Sequence, residues 1–160
     1  MPRIGVTGYA RLSTETRSLM LDALTAALRE YAGRDLHGVT CLARGTDQLF
    51  ARAVLAVRGT FEVVLPARDY RERIVGNGGR AAFDELLCQA AGVRTMPFAR
   101  SSREAFLAAS EDMLSRCDLL FAVWDGSPSR ETGDTAHVVS VARERRIPVK
   151  VIWPARPDSR

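Results

Sequence analysis

The chain has 160 residues, of which 46% are hydrophobic and 26% are charged, which is the length and composition of a single globular domain. No apolar run approaches the ~18 residues needed to cross a bilayer, and the N-terminus lacks the layout of a signal peptide, so we expect a cytoplasmic protein without a membrane partner. The net charge is +4, and Lys150 is the only lysine among 23 basic residues. The arginines are scattered among acidic residues along the sequence, which argues against a nucleic-acid partner.

The three cysteines, Cys41, Cys88 and Cys117, lie far apart in apolar contexts and form no CxxC pair. This spacing predicts buried free thiols and no zinc site. Nothing else in the sequence implies a metal or a redox cofactor, so we expect none.

The first half of the chain alternates between short apolar runs and segments with helical spacing. Residues 3–7 form an apolar run that ends at Gly8, and a stripe of leucines over 13–31 predicts a helix capped by Ser13 or Thr14. The further elements predicted here are a strand over 37–43, a helix over 48–57 and a strand over 61–65.

The second half continues the same alternation. The run 93–98 contains Pro97, which has no amide to donate, so this strand is predicted at an edge of the sheet. Residues 118–124 form the most hydrophobic strand of the chain. The other predicted elements are helices over 80–91, 102–116 and 135–145 and a strand over 148–153.

Alternation of continuous apolar strands with helices is typical of a parallel sheet covered on both faces. The sequence therefore predicts one α/β doubly wound, Rossmann-like domain of about six mainly parallel strands. This domain is expected to span residues 1–154, followed by a polar tail over 155–160.

In an open parallel sheet, ligands bind outside the carboxyl ends of the strands, where helix N-termini present free amides. Glycine and threonine lie at three of these predicted strand ends, and two such helix N-termini converging on one crevice suit an anion such as phosphate. There is neither a GxGxxG fingerprint nor a P-loop, which disfavours a dinucleotide cofactor. The predicted ligand-binding residues are Thr7, Gly8, Arg11, Arg44, Gly45, Thr46, Asp47, Asp125, Gly126, Gly133, Asp134 and Thr135.

Individual roles stay open for several of these residues. Asp47 fits a contact with a ribose hydroxyl as well as it fits an acidic residue in the first turn of a helix. Trp124 is interpreted as core rather than as a stacking platform. His137 is interpreted as a partly exposed surface residue rather than as a base.

Four segments together resemble the SLOG superfamily, which includes the LOG phosphoribohydrolases and the molybdenum-cofactor carrier proteins. They are RIGVTGYARL, LARGTDQLFARAV, VVLPARDY and the stretch from 118 to 149. The resemblance covers residues 3–152 and is loose over 71–102. It implies a nucleotide-like ligand held by its phosphate and ribose, and homo-oligomerisation, since LOG relatives dimerise through one face of the sheet.

Carried over residue by residue, Gly133 and Thr135 match the family's loop glycine and threonine, and Asp134 stands where a second glycine is usual. Thr7 and Gly8 match the turn after the first strand. The turn after the second strand is matched by Gly45, Thr46 and Asp47.

Two departures concern the catalytic residues of LOG enzymes. Val138 stands where those enzymes carry a glutamate, and Ala109 and Ser110 stand where they carry an Arg-Lys pair. The resemblance therefore implies binding of a nucleotide or nucleotide-derived molecule without LOG-type chemistry. The alternative is a nucleoside 5′-monophosphate phosphoribohydrolase whose acid is supplied elsewhere, by Asp125 or Asp134.

Overall fold

The structure, a computed structural model, describes residues 2–33, 35–75, 79–128 and 134–153. Strands and helices alternate along this part of the chain. The strands are β1 (Arg3–Gly8), β2 (His37–Thr40), β3 (Thr60–Leu65), β4 (Gly92–Thr95), β5 (Leu119–Val123) and β6 (Val149–Ile152). The helices are α1 (Thr14–Arg29), α2 (Thr46–Ala56), α3 (Arg80–Cys88), α4 (Arg103–Arg116) and α5 (Thr135–Glu144), with a turn of π-helix at Arg71–Val75.

The six strands form one sheet in the order β4-β3-β2-β1-β5-β6, and every neighbouring pair is parallel. From β1 the chain first builds outward to β4 and then returns to place β5 on the other side of β1. The strand order therefore reverses between β1 and β5, where Thr7 pairs with Ala122 and Gly8 with Val123. This arrangement confirms the predicted doubly wound fold.

Helices cover both faces of the sheet because successive strand residues point to opposite faces. On one face, Ile4 and Val6 of β1 are buried with α1 and α2 residues such as Leu24 and Phe50. On the other face, α4 and α5 pack on a second cluster that includes Leu120 of β5. Sheets buried on both sides need continuous apolar strands, which is the pattern seen in the sequence.

Several element boundaries differ from the sequence prediction. Helix α2 begins at Thr46 rather than at residue 48, and β4 ends at Thr95, two residues before Pro97, at the predicted edge position. Cys88, expected to be buried, is exposed at the end of α3. Within the described residues, no helix is long and apolar enough to cross a membrane.

A nearly buried carboxylate, Glu62, connects four adjacent strands. Its Oε1 accepts a hydrogen bond from Arg3 of β1 at 2.6 Å and lies 2.8 Å from Nε2 of His37 on β2, and its Oε2 accepts from Arg94 of β4 at 2.5 Å. Arg94 also donates to Asp112 of α4 at 2.6 Å. Burial raises the pKa of Glu62, but the hydrogen bonds from Arg94 and His37 bring this pKa below its ordinary value.

We predict that Glu62→Gln lowers the free energy of unfolding by about 2–3 kcal/mol at pH 7, because Arg3 then lacks its anionic partner and Arg94 retains only Asp112. A carboxyl whose folded pKa is lowered stabilises the fold above its unfolded pKa and loses that contribution as the pH falls. The difference between wild type and variant should therefore shrink between pH 5 and pH 3. Urea unfolding followed by circular dichroism measures both quantities.

Glu85→Gln is the matched control, because Glu85 is exposed and lies 3.8 Å from Arg52 in a surface ion pair. Such pairs contribute roughly 0–1 kcal/mol. Equal losses in the two variants would show that the Glu62 contacts add nothing beyond a surface pair.

Candidate functional site

A cleft of about 600 Å³ opens at the carboxyl edge of the sheet, where β1 and β5 end and α5 begins. Its volume lies in the range of about 300–1,000 Å³ usual for small-molecule sites, and its position is the switch point of the strand order. The lining residues are Thr7, Gly8, Tyr9, Ala10, Trp124, Asp125, Ser127, Pro128, Asp134, Thr135 and Ala136. Five of the predicted ligand-binding residues are thus brought together here.

The N-terminus of α5 forms one wall of the cleft. The Asp134 side chain caps this helix by accepting a hydrogen bond from the amide of His137 at 2.9 Å, and the first intrahelical bond runs from Val138 to the Asp134 carbonyl at 3.0 Å. The amides of Thr135 and Ala136 precede that bond and so have no partner within the helix. They give this wall a partial positive charge suited to an anion.

Asp125, at the end of β5, is held by residues from two loops. Its Oδ1 accepts hydrogen bonds from the Tyr9 hydroxyl at 2.7 Å, the Ser127 amide at 3.0 Å and the Ser127 hydroxyl at 2.5 Å. The Ser127 hydroxyl and then Tyr9 lower the pKa of Asp125 to about 2, so this carboxylate is ionised at neutral pH. Among the described residues, no side chain donates to its Oδ2.

Two aromatic residues at the cleft were not predicted to belong to it. Tyr9 packs edge-on against Trp153, with ring centroids 5.7 Å apart. Trp124, interpreted from sequence as core, is half-buried and donates from Nε1 to the Ser127 carbonyl at 2.9 Å. The sequence signal for Tyr9 was its position: an aromatic residue directly after the Thr-Gly end of β1, at the edge of the sheet where ligands bind.

The N-terminus of α2 does not open into this cleft, which corrects the expectation that two helix N-termini converge there. The Tyr9 carbonyl accepts hydrogen bonds from the Thr46 amide at 3.2 Å and the Thr46 hydroxyl at 2.9 Å. Gly45 has φ 78°, and a Cβ there would overlap the carbonyl of Ala10. A Cβ on Gly8 would lie 2.6 Å from the Thr46 side chain. The loop after β1 therefore covers the start of α2.

The predicted arginines lie in a neighbouring groove of about 600 Å³. Arg11 and Arg44 line it together with Arg17, and Ala10 belongs to both the groove and the cleft. All three arginines are exposed, and within the described part of the chain none is paired with a carboxylate. Arginines that are scattered in the sequence are thus gathered by the fold.

Asp47 occupies a different place again. It is 9% exposed, and its Oδ2 accepts a hydrogen bond from the Ala43 amide at 3.2 Å. Burial raises the pKa of Asp47 to about 7, against the lowering effect of the backbone amides of Ala43 and Cys41. It lines a smaller cavity of about 210 Å³ that shares Thr7 and Gly8 with the cleft.

The remaining predicted residues are the glycines near α5. Gly126 lies in the loop after β5 with φ 89° and does not line the cleft. Gly133 lies outside the described residues. Within those residues, no group of three His, Cys, Asp or Glu side chains is placed to hold a metal ion.

No protein-family model and no curated protein sequence matches this chain. Among solved structures, DNA processing protein A from Streptococcus pneumoniae has a TM-score of 0.69 at 15% identity, covering 99% of this chain and 52% of that one. DNA processing protein A from Helicobacter pylori, described for its single-stranded DNA binding mode, gives 0.69 at 15% identity over 99% and 67% of the two chains. The molybdenum cofactor binding protein from Rippkaea orientalis gives 0.62 at 17% identity over 96% and 77%.

The chain has a Rossmann-like fold similar to that of these proteins. The resemblance expected from the sequence is thereby confirmed at the level of the fold. The chain spans about half the length of the Streptococcus pneumoniae protein.

The positions that the sequence resemblance matches to the LOG catalytic residues carry no acidic or basic side chain. Val138 is 4% exposed and Ala109 is fully buried, both in the core cluster under α4 and α5. Ser110 lines the smaller cavity beside Asp47. Among the described residues, the carboxyl groups that line the cleft and the smaller cavity are therefore those of Asp125, Asp134 and Asp47.

We predict that Gly45→Ala destabilises the protein by about 3 kcal/mol, because the added Cβ meets both a left-handed backbone conformation and the Ala10 carbonyl. Gly33→Ala is the control, because Gly33 has φ 83° but open space where its Cβ would lie. That variant should lose only about 1 kcal/mol. Thermal and urea unfolding compare them, and equal losses would contradict close packing of the loop after β1 on α2.

Proposed function

We propose that this protein binds a nucleotide or nucleotide-derived small molecule in the cleft between β1, β5 and α5. The observation that carries the proposal is the position of the Thr135 and Ala136 amides in a cleft at the switch point of the sheet. A phosphate group fits these amides, because a helix N-terminus offers unpaired donors and a partial positive charge.

Asp125 is the candidate ligand of the ribose. Its Oδ1 is saturated by Tyr9 and Ser127, and its ionised Oδ2 is left as an acceptor for a hydroxyl group. An acidic residue at a strand end binds ribose hydroxyls in the same way in dinucleotide-binding folds. The negative charge of Asp125 makes it unsuitable as a phosphate contact, which assigns the two ends of a sugar phosphate to opposite walls of the cleft.

The residues of the cleft best support binding of the ligand without cleavage of an N-glycosidic bond. An N-glycosidic hydrolase needs a group to protonate the leaving base and a carboxylate near the anomeric carbon. With a pKa of about 2, Asp125 remains a carboxylate and does not act as an acid at neutral pH. The hydrolase alternative would then depend on Asp134, whose carboxylate already caps α5.

We predict that ribose 5-phosphate stabilises the wild-type protein by roughly 2.7 kcal/mol at a concentration of about 100 times its Kd. Asp125→Asn should weaken ribose 5-phosphate about 10-fold, because a charge-assisted hydrogen bond to a hydroxyl is lost, and should leave inorganic phosphate unaffected. Isothermal titration calorimetry measures the Kd of both ligands for the wild type and the variant.

Asp118→Asn is the matched control, because Asp118 lies just before β5 at the opposite edge of the sheet, where it accepts from the Arg3 amide at 3.1 Å. It should leave both affinities unchanged. Absence of any binding by wild type would refute the proposal, and unchanged affinity in Asp125→Asn would refute the role of Asp125. Release of free base from a nucleoside monophosphate, followed by chromatography, would favour the hydrolase.

A second candidate function, binding of single-stranded nucleic acid, is favoured by the arginine groove. Arg11, Arg17 and Arg44 line a groove that adjoins the cleft at Ala10, and in this proposal one strand places phosphates in both depressions. Arginine side chains without acidic partners are the groups that bind a phosphate backbone.

For this candidate we predict that affinity for a fluorescent single-stranded oligonucleotide falls with salt, with a log-log slope near −2 for three phosphate contacts. Arg17→Ala combined with Arg44→Ala should reduce the steepness by about 1.4, while Arg29→Ala, at the other end of α1, should leave it unchanged. Fluorescence anisotropy between 50 and 200 mM salt measures the slope. A flat response would exclude the nucleic-acid function.

A further inference from the structure

The cavity beside Asp47 is built differently from the cleft it adjoins. It lies under the carboxyl ends of β1, β2 and β3, and α4 covers it from the second face of the sheet. Phe106 and Met113 of α4 and Pro66 after β3 supply apolar walls. The polar groups facing it are those of Cys41, Asp47, Tyr70 and Ser110, and its rim is formed by Thr7 and Gly8.

The cavity contains a carboxyl group, that of Asp47. Among the described residues, no arginine, lysine or histidine lines the cavity, and the hydrogen bonds of Asp47 come from the backbone of Ala43 and Cys41. The titratable groups that face Asp47 are the Cys41 thiol at the end of β2 and Tyr70 after β3, and Asp112 of α4 acts on Cys41. Burying a carboxyl group among these neighbours raises the free energy of the folded state unless a further polar group binds the carboxyl.

The volume of the cavity limits the size of the polar molecule that binds the Asp47 carboxyl. About 210 Å³ corresponds to roughly seven water volumes of ~30 Å³ each, and it is below the ~300 Å³ of the smallest usual ligand sites. It therefore suits one planar ring system rather than a whole nucleotide. An aromatic ring and a thioether, from Phe106 and Met113, are favourable contacts for such a ring.

We propose that this cavity holds the heterocyclic base of the ligand whose phosphate lies at α5, and that Asp47 is the specificity-determining residue, bonded to the edge of the base. The inference rests on the proposed function. Thr7 and Gly8 line both the cleft and the cavity, so only the end of β1 lies between them. The sugar phosphate then lies in the cleft, and the base turns past Gly8 toward α4.

The ionisation of Asp47 sets which base it prefers. An ionised carboxylate accepts from the ring N–H of guanine, and a protonated carboxyl donates to the ring nitrogen of adenine. Since burial places the pKa of Asp47 at about 7, the affinity for GMP relative to AMP should rise as the pH increases from 6 to 8.

The test measures Kd by calorimetry for ribose 5-phosphate, AMP and GMP. At least one nucleotide should bind wild type 10-fold or more tightly than ribose 5-phosphate. Ser110→Leu, which fills the cavity, should abolish that advantage and leave ribose 5-phosphate within 2-fold. Ser115→Leu, the same change at an exposed position of α4, should alter neither affinity. In Asp47→Asn the GMP-to-AMP ratio should become constant between pH 6 and 8.

Equal affinities of wild type for all three ligands, or a nucleotide advantage that survives Ser110→Leu, would overturn the inference while the proposed function stands. A GMP-to-AMP ratio that still changes with pH in Asp47→Asn would overturn the role of Asp47. If Asp47→Asn does not fold, the comparison of the Leu variants decides the matter alone. Failure of ribose 5-phosphate to bind wild type would remove the proposed function and this inference together.

Discussion

The packing of the loop after β1 on the start of α2 shapes the cleft, the cavity and the arginine groove, because residues at the end of β1 and in this loop line them. The Tyr9 carbonyl accepts two hydrogen bonds from Thr46, and Gly8 and Gly45 bring the two segments closer than any side chain would permit. This contact uses α2 donors that would otherwise face a ligand, and it leaves α5 as the helix whose first amides line the cleft. It also directs the Tyr9 side chain to Asp125 and places Arg11 in the groove.

Two aspartates near the same strand ends have opposite electrostatic properties because their surroundings differ. Asp125 is exposed and receives three hydrogen bonds, which favour its charged form, so its pKa is about 2. Asp47 is buried, its donors among the described residues are backbone amides, and burial raises its pKa to about 7. A permanent carboxylate is suited to sugar hydroxyls over a wide pH range, whereas a group that titrates near neutrality distinguishes donors from acceptors on a base.

The fold was predictable from the sequence because continuous apolar strands and helical stripes are local patterns, and the edge position of β4 followed from Pro97. The site was predictable in part, since Thr7, Gly8, Asp125, Asp134 and Thr135 all follow from the rule that strand ends meet ligands. The covering of the α2 N-terminus could not be predicted, because it depends on a contact between Tyr9 and Thr46, which are distant in sequence. Arg11 and Arg44 were predicted as ligand contacts, whereas Arg17, which lines the groove with them, was not.

The similarity to DNA processing protein A and to a molybdenum cofactor binding protein concerns the fold, and the chemistry of the cleft depends on its own residues, because one fold supports many functions. In this chain Val138 and Ala109 belong to the core, while Ser110 and Asp47 line a cavity. The cleft, the cavity and the arginine groove all border residues 7–11, so one ligand is able to contact all three only by following that loop.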